Sequence, residues 1–212
     1  MIRTLLYNDI VTVVLCFCLL LIALTRFTEA KRLHAYLELL YSTKYVKRYG
    51  KDIKFFDAFN VVFYIVFVLS ITVLCYPYIN TQLPDFSILY RYLLIFAGLF
   101  VFFGLKFLVE LLIAKIFNIE SVIKRYLFKK YSYRHFTVVF LLPILAVLTY
   151  HNYYHETATL YVLFFVFGVH LINYFFVVKS FFILLRQNIF YFILYLCTLE
   201  IAPYVLLYKY LG

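Results

Sequence analysis

The amino-acid sequence predicts an all-α membrane protein, a bundle of about six transmembrane helices with two basic amphipathic helices on its cytoplasmic surface. The first observation behind this prediction is composition: 67% of the 212 residues are hydrophobic, 14% are charged, and the mean hydropathy is +0.95. Soluble domains are about 45–50% apolar and about 25% charged. The second observation is a series of long apolar runs, and the third is the clustering of basic residues between those runs.

Six runs are apolar over roughly the length that crosses a bilayer, because about 20 residues of α-helix span a hydrocarbon core about 30 Å thick. We predict one integral-membrane domain over residues 1–212, with spans at about 7–25, 58–79, 86–107, 135–150, 157–178 and 187–208. Arg3 before the first run resembles the start of a signal peptide, but no cleavage site of small residues follows that run. We therefore expect the first span to be retained, whereas cleavage would leave five spans.

Lysine and arginine are concentrated in alternate connections between the spans. Residues 26–54 contain eight of them and residues 115–134 contain six, whereas residues 80–85 and 151–156 contain none. Short loops rich in Lys and Arg stay in the cytoplasm, so the first, third and fifth connections are predicted to be cytoplasmic and both termini to lie outside. The net charge of +10 follows from this bias and from attraction to anionic lipid headgroups, and it indicates no nucleic-acid partner.

The two long basic connections also carry apolar residues at helical spacing, such as Leu33, Tyr36 and Leu37 in the first and Ile123 and Tyr126 in the second. A helix with an apolar stripe and a basic face lies in the bilayer interface, although a helix that binds a protein partner has the same pattern. Contacts with anionic lipid headgroups and contacts with other membrane proteins therefore both stay open. The basic residues that would make them are Arg32, Lys44, Lys47, Arg48, Lys124, Arg125, Lys129 and Lys130.

Three polar residues inside predicted spans are candidates for an intramembrane site. Ionisable groups there are disfavoured by about 2.5–3.5 kcal/mol and tend to find a partner inside the bundle. At about 1.5 Å per residue, Glu200 and Arg91 lie at nearly the same depth in the outer half of the bilayer, and His170 lies near its middle. We predict a Glu200–Arg91 ion pair, with His170 or a tyrosine hydroxyl as the competing partner of Glu200.

Glu200 has a structural and a functional interpretation. Pro203 removes the hydrogen bond that the carbonyl of Leu199 would accept, and this free acceptor suits a polar pocket lined by backbone. In the structural interpretation Glu200 fixes the packing of the helices. In the functional interpretation it is a proton or ligand site, because a buried and unpaired carboxyl group is neutral near pH 7 and can exchange protons. The sequence leaves both open.

Lys106 and Glu110 lie four residues apart near the cytoplasmic end of the third span, in a helix that is expected to continue to about Phe117. Residues at this spacing are neighbours on one helix face. They are predicted to form a structural ion pair.

His151, His155 and Glu156 are the one group whose spacing resembles a metal site. The group lacks the internal glutamate of the H-E-x-x-H zinc motif, and it falls in a short external loop where such residues are common. All four cysteines fall inside spans, where thiols behave as small buried hydrophobes. We therefore predict no metal site, no disulfide framework and no cofactor.

Two segments resemble a membrane family of unknown function from Bacteroidota. The segment from Asn188 to Pro203 resembles the family's terminal Tyr-Leu-Cys-x-Leu-Glu-Ile-x-Pro motif, and the segment from Lys106 to Glu120 is similar to its central region. The resemblance covers most of the chain. It implies a multi-pass protein of the bacterial inner (cytoplasmic) membrane, and it brings no activity with it.

Three classes of function follow from these observations. The first is a non-enzymatic subunit or assembly factor of a bacterial envelope complex, because motifs for phosphate binding and nucleophilic catalysis are missing and interaction surfaces are plentiful. A link between such a subunit and the export or gliding machinery of Bacteroidota would rest on lineage alone. The second is a small transporter or proton-conducting protein that uses Glu200. The third is a membrane-embedded enzyme that acts on a lipid, through Glu200, His170 and the two histidines of the external loop.

Overall fold

The computed structural model describes residues 2–40, 44–50, 55–79, 87–116, 120–150 and 156–185. Its helices are α1, Ile2–Leu37; a 3-10 turn, Glu38–Leu40; α2, Lys44–Tyr49; α3, Ala58–Ile79; α4, Ile88–Ile116; α5, Glu120–Tyr150; and α6, Glu156–Leu185. These residues contain no strand, and five of the helices are long and apolar enough to cross a membrane. The prediction of an all-helical, multi-pass protein is confirmed to that extent, while the sixth predicted span lies outside the described residues.

Helices α3 and α5 form the centre of the bundle. In each of them 56% of the most apolar stretch is buried, against 22% in α1, 17% in α4 and 11% in α6. The central core joins α1, α3, α4 and α5 through residues such as Val11, Val66, Tyr92 and Leu145. The outer helices expose large apolar side chains, for example Phe164 in α6, and a wide apolar surface of this kind suits contact with lipid.

Hydroxyl groups in the apolar centre bond to the backbone of their own helices. Ser70 Oγ donates to the carbonyl of Val66 at 2.8 Å, and Thr72 Oγ1 donates to the carbonyl of Val68 at 2.8 Å. A buried hydroxyl without a partner is costly in an apolar medium. The i−4 carbonyl supplies that partner without any contribution from another helix.

The described part of the bundle has two distinct ends, because successive long helices alternate in direction. At one end the hydroxyl groups of Tyr78 and Thr159 lie 2.9 Å apart, and those of Tyr150 and Thr12 lie 3.2 Å apart. We call this the opposite end. The other end contains the last turns of α1, all of α2, and the start of α5, which together carry most of the described lysines and arginines. We call it the basic end.

At the basic end α1 bends at Glu29, where φ is −137° and ψ is 51°. These angles lie outside the helical region, so one residue redirects the last two turns of the helix. Leu33 and Tyr36, which follow the bend, are buried, and the Tyr36 hydroxyl donates to the carbonyl of Ser132 at 3.0 Å. The apolar stripe of the first basic connection therefore packs on the protein's own bundle.

An aromatic cluster holds the basic end together. The ring of Tyr36 lies 4.7 Å from that of Phe63 and 5.3 Å from that of Phe59, and the ring of Tyr45 lies 5.7 Å from that of Phe128. These centroid distances are typical of favourable aromatic pairs. The cluster joins α1, α2, α3 and α5, and it consists of Tyr36, Tyr45, Phe59, Phe63, Phe128 and Phe136.

Helix α5 covers a region that the sequence analysis had divided into two helices. The sequence predicted a surface helix around Ile123 and Tyr126 and a separate span from residue 135, whereas one helix, Glu120–Tyr150, contains both. No glycine or proline interrupts the chain from Glu120 to Arg134, and the Lys, Arg and Leu residues there continue a helix readily. Ile123 and Tyr126 are buried in a cluster with α4 and α6, so this apolar stripe also faces the protein.

Candidate functional site

A cavity of about 290 Å³ lies between α3, α4 and α5 near the basic end. Aromatic rings form most of its wall, and its polar members include Asn60, Ser132, Arg134 and His135. Gly104 of α4 also lines it, and a Cβ atom added to this glycine would lie 3.5 Å from the Tyr64 hydroxyl. The absence of a side chain at this position therefore keeps part of the space open.

Arg134 is the charged residue of this cavity. Its guanidinium carbon lies 4.3 Å from the ring centroid of Tyr131, 4.9 Å from that of Phe67 and 5.1 Å from that of Phe103. Three aromatic faces at these distances attract a cation. Its Nε atom is buried and has no hydrogen-bond partner among the described residues, and no described carboxylate forms an ion pair with it.

His135 is the neighbour of Arg134 in the chain and in space. Nη2 of Arg134 lies 3.3 Å from Nε2 of His135. A guanidinium group can only donate, so Nε2 accepts and the proton of the imidazole is on Nδ1. His135 is buried, and its ring lies 5.9 Å from that of Tyr64 and 5.5 Å from that of Phe67. The two residues together form a polar floor under aromatic walls.

The depth of this floor follows from the geometry of α5. Arg134 precedes Tyr150 by about 16 residues, which is about 24 Å of helix. For a helix perpendicular to the bilayer that leaves a hydrocarbon core about 30 Å thick at Tyr150, Arg134 would lie about 6 Å inside the core, on the basic side. An arginine there is disfavoured by up to about 2.5–3.5 kcal/mol, and the three aromatic faces offset that cost in part or in full.

The predicted intramembrane residues His170 and Arg91 lie at different places. The His170 ring is 5.9 Å from that of Phe67, and its Nε2 atom is buried without a hydrogen-bond partner in the described part of the chain. Arg91 lies in the first turn of α4 at the opposite end, where it is 6% exposed and its Nε atom likewise has no described partner. Glu200 lies outside the described residues, so its pairing with Arg91 stays a prediction.

Glu110 is fully buried at the basic end, with 0% of its side chain exposed. Its carboxylate accepts hydrogen bonds from Nζ of Lys130 at 2.7 Å and from the Tyr131 hydroxyl at 2.8 Å. Both partners are on α5, whereas the sequence suggested Lys106 on the same helix. Lys106 is buried as well, and its predicted pair with Glu110 stays a prediction.

Arg32, which the sequence assigned to the lipid or partner contacts, is directed into the protein. Nη1 donates to the carboxylate of Asp57, and it also donates to the carboxylate of Glu29, at a distance of 3.0 Å. The guanidinium group lies over two aromatic rings, 4.6 Å from the centroid of Phe59 and 5.1 Å from that of Tyr49. Arg32 is 8% exposed. It therefore joins the bend of α1 to the residue that precedes α3.

The other basic residues of that set have varied surroundings. Arg48 and Arg125 are exposed, and Lys124 bonds to Glu120 at 2.6 Å, which lowers the pKa of the Glu120 carboxyl group. Lys130 binds Glu110 as described above. For Lys44 and Lys47 the backbone belongs to α2, and their side chains lie outside the description.

A second, more open cavity of about 740 Å³ lies between α5 and α6 at the basic end. Lys129 and Lys179 line it together with Asn173 and the rings of Phe136 and Phe176. Its walls are thus basic toward the end of the bundle and apolar deeper inside. The weak metal candidates lie elsewhere: residues 151 and 155 are outside the described residues, and Glu156 begins α6.

Sequence reasoning missed Arg134 and His135 as site residues. It counted Arg134 with the cytoplasmic basic residues and began the fourth span at His135. One signal was available, since a span of residues 135–150 is shorter than the roughly 20 residues that cross a bilayer. Extending it toward the basic end would have added Tyr131 and Arg134 to the span that already began at His135.

Comparison with known proteins identifies a family. The family model described as Domain of unknown function (DUF4271) matches residues 11–211, nearly the whole chain. The predicted resemblance to a family of unknown function is confirmed at this level. No curated protein and no solved structure matches the chain.

Proposed function

We propose that this chain, which belongs to the family described as Domain of unknown function (DUF4271), is a non-enzymatic subunit or assembly factor of an envelope complex in a bacterial inner membrane. The export or gliding machinery of Bacteroidota is the candidate complex. In this proposal the basic end lies in the cytoplasm and both termini lie in the periplasm. The observation that supports the proposal is the excess of positive charge over negative charge at the basic end.

Each described carboxylate at the basic end has a basic partner within the protein. Glu29 and Asp57 contact Arg32, Glu38 contacts His34, Glu110 contacts Lys130, and Glu120 contacts Lys124. All the described carboxylates at this end are therefore in contact with basic side chains of the same protein.

Exposed cations remain at the same end. The exposed basic residues without an ion-pair partner among the described residues include Arg26, Lys31, Arg48, Arg125 and Lys179. Uncompensated positive charge at a membrane interface attracts anionic headgroups and acidic protein surfaces. This excess of exposed positive charge supports a docking role for this end.

The test is affinity purification of the full chain from its native membrane in mild detergent, followed by mass spectrometry. We expect envelope proteins to co-purify with the wild type and to be lost from a triple variant, Arg26→Gln with Arg48→Gln and Arg125→Gln. The matched control replaces the same three arginines with lysine. Because that control keeps the charge, it should retain the partners. Identical partners with both triple variants, or no reproducible partner of the wild type, would contradict the proposal.

The orientation is tested independently by reporter fusions. Fusions at Gly50 and Lys129 should report a cytoplasmic position, because both lie at the basic end and Lys- and Arg-rich loops stay inside. Fusions at Leu83 and Asn152 should report a periplasmic position. A cytoplasmic signal at Leu83 would show that the six-span arrangement with an outer N-terminus is wrong.

A second candidate function is proton or solute transport through Glu200. The observation that favours it is Arg91, a buried cation in the outer part of α4 whose Nε atom has no described partner. A buried arginine calls for a carboxylate or a polar ligand. Glu200 has the predicted depth to supply the former, and a transported anion would supply the latter.

A further inference from the structure

We infer that the cavity between α3, α4 and α5 is a binding site for a long-chain fatty acid, whose carboxylate binds Arg134 and His135. The inference is independent of the docking role proposed for the basic end. It rests on the polar floor of the cavity, on its apolar walls and on the side toward which it opens.

The floor presents positive charge that the described residues do not neutralise. Arg134 has three aromatic rings around it and no described carboxylate, and its buried Nε atom has no hydrogen-bond partner among the described residues. A carboxylate with two oxygen atoms matches the forked donors of a guanidinium group. An anionic group in the cavity would supply the negative charge that no described residue gives to Arg134.

The walls suit a hydrocarbon chain. Phe55, Phe107 and Phe128 contribute apolar ring faces, and Gly104 leaves room beside Tyr64. The volume of about 290 Å³ is near the lower limit of small-molecule pockets, about 300–1,000 Å³. It therefore holds a head group and the first part of one chain.

The cavity opens sideways, toward the lipid-facing surface between α3 and α4. Val61, Phe100 and Leu108 line it and are also exposed by 38%, 40% and 50%. These side chains belong to stretches that cross the membrane. A ligand thus enters from the bilayer, and the rest of its chain lies among the lipid tails.

The depth of Arg134 favours a carboxylic acid over a phosphate. Arg134 lies about 6 Å inside the hydrocarbon core by the helical rise. A carboxyl group can enter an apolar region in its neutral, protonated form, because removal from water raises its pKa. Beside the Arg134 guanidinium the ionised carboxylate is favoured, and the proton passes to water at the basic end of the bundle. The phosphodiester of a phospholipid stays ionised and is held at the interface.

The experiment uses the full chain in nanodiscs of zwitterionic phospholipid, with [1-¹³C]oleate as the probe. The carboxyl resonance should show a bound, ionised population that the empty nanodiscs lack. Unlabelled oleate should displace it, whereas oleyl alcohol, which has the same chain without the carboxylate, should not. Displacement by oleyl alcohol would overturn the inference.

Two variants test the site, each with a matched control on the same helix. Arg134→Gln should weaken oleate binding about 10- to 100-fold, the range expected when a hydrogen-bonded charge is lost, while the exposed Arg125→Gln should not. Gly104→Leu fills the cavity and should abolish binding. Gly98→Leu should not, because a Cβ atom there has nothing within 4 Å. Since Gly104→Leu leaves Arg134 in place, it keeps the test valid if Arg134→Gln unfolds.

Several results would overturn the inference. One is unchanged binding in Gly104→Leu with an intact fold. Another is displacement of oleate by a phosphatidylglycerol or a quinone at equal or lower concentration, which would assign the site to a lipid phosphate or to a neutral ring. Loss of envelope partners in the arginine triple variant has no bearing on oleate binding, so each proposal can be contradicted without affecting the other.

Discussion

Replacing Glu110 with leucine is expected to lower the free energy of unfolding by about 3–5 kcal/mol, the usual cost of removing one partner from a buried ion pair. The Glu110 side chain is fully buried and that of Lys130 is 10% exposed. The substitution would leave the Lys130 ammonium group buried without its carboxylate. The Tyr131 hydroxyl would lose its acceptor at the same time.

Thermal unfolding in mild detergent measures this effect, and the chain supplies a matched control. Glu120→Leu also removes a carboxylate that binds a lysine of α5, but that side chain is 39% exposed, so water takes the place of the lost contact. Glu110→Gln should lie between wild type and Glu110→Leu, because an amide oxygen still accepts a hydrogen bond. Equal losses for the two leucine variants would show that Glu110 has no special structural role.

The second large effect is expected at Glu200 and Arg91. We expect Glu200→Leu to destabilise the protein by about 3–5 kcal/mol, because Arg91, 6% exposed in α4, would lose its predicted partner. Glu200→Gln should keep most of the stability, since an amide still hydrogen-bonds a guanidinium group. The exchanged pair, Glu200→Arg with Arg91→Glu, should recover part of the loss.

The same variants separate the structural from the functional interpretation of Glu200. Stability in detergent and the cellular phenotype are measured together. A Glu200→Gln protein that is stable but inactive identifies a proton or ligand site, whereas one that is active and only slightly less stable identifies a structural pair. A glutamine variant that is normal in both assays, alongside a stable Glu200→Leu, would remove both interpretations.

The membrane-crossing helices could be predicted because hydropathy is a local property of the chain. Helix α3 occupies residues 58–79, the range expected from its apolar run. The beginning of α5 could not be predicted in that way. Its lysines and arginines are typical of a solvent-facing segment, so the sequence placed a separate surface helix there. The structure has one helix, Glu120–Tyr150, whose Tyr126 and Tyr131 pack against α4.

The partners of the buried charges could not be predicted from spacing. Sequence rules find neighbours three or four residues apart on one helix, which suggested Lys106 for Glu110. Lys130 is 20 residues away on another helix. Arg134 likewise has two aromatic neighbours on other helices, Phe67 of α3 and Phe103 of α4, whereas Tyr131 lies three residues away on α5.

The bend of α1 has a consequence for the order of assembly during synthesis. Arg32 and Asp57 are 25 residues apart, whereas Tyr36 and Ser132 are 96 residues apart. At about 5–20 residues per second, the ribosome synthesises Asp57 about 1–5 s after Arg32, and it synthesises Ser132 about 5–20 s after Tyr36. We therefore expect the early pair of α1 and α3 to be in the membrane with one aromatic face uncovered until α5 is synthesised. That interval is when an insertion factor or a foreign helix can compete for the face that α5 will cover.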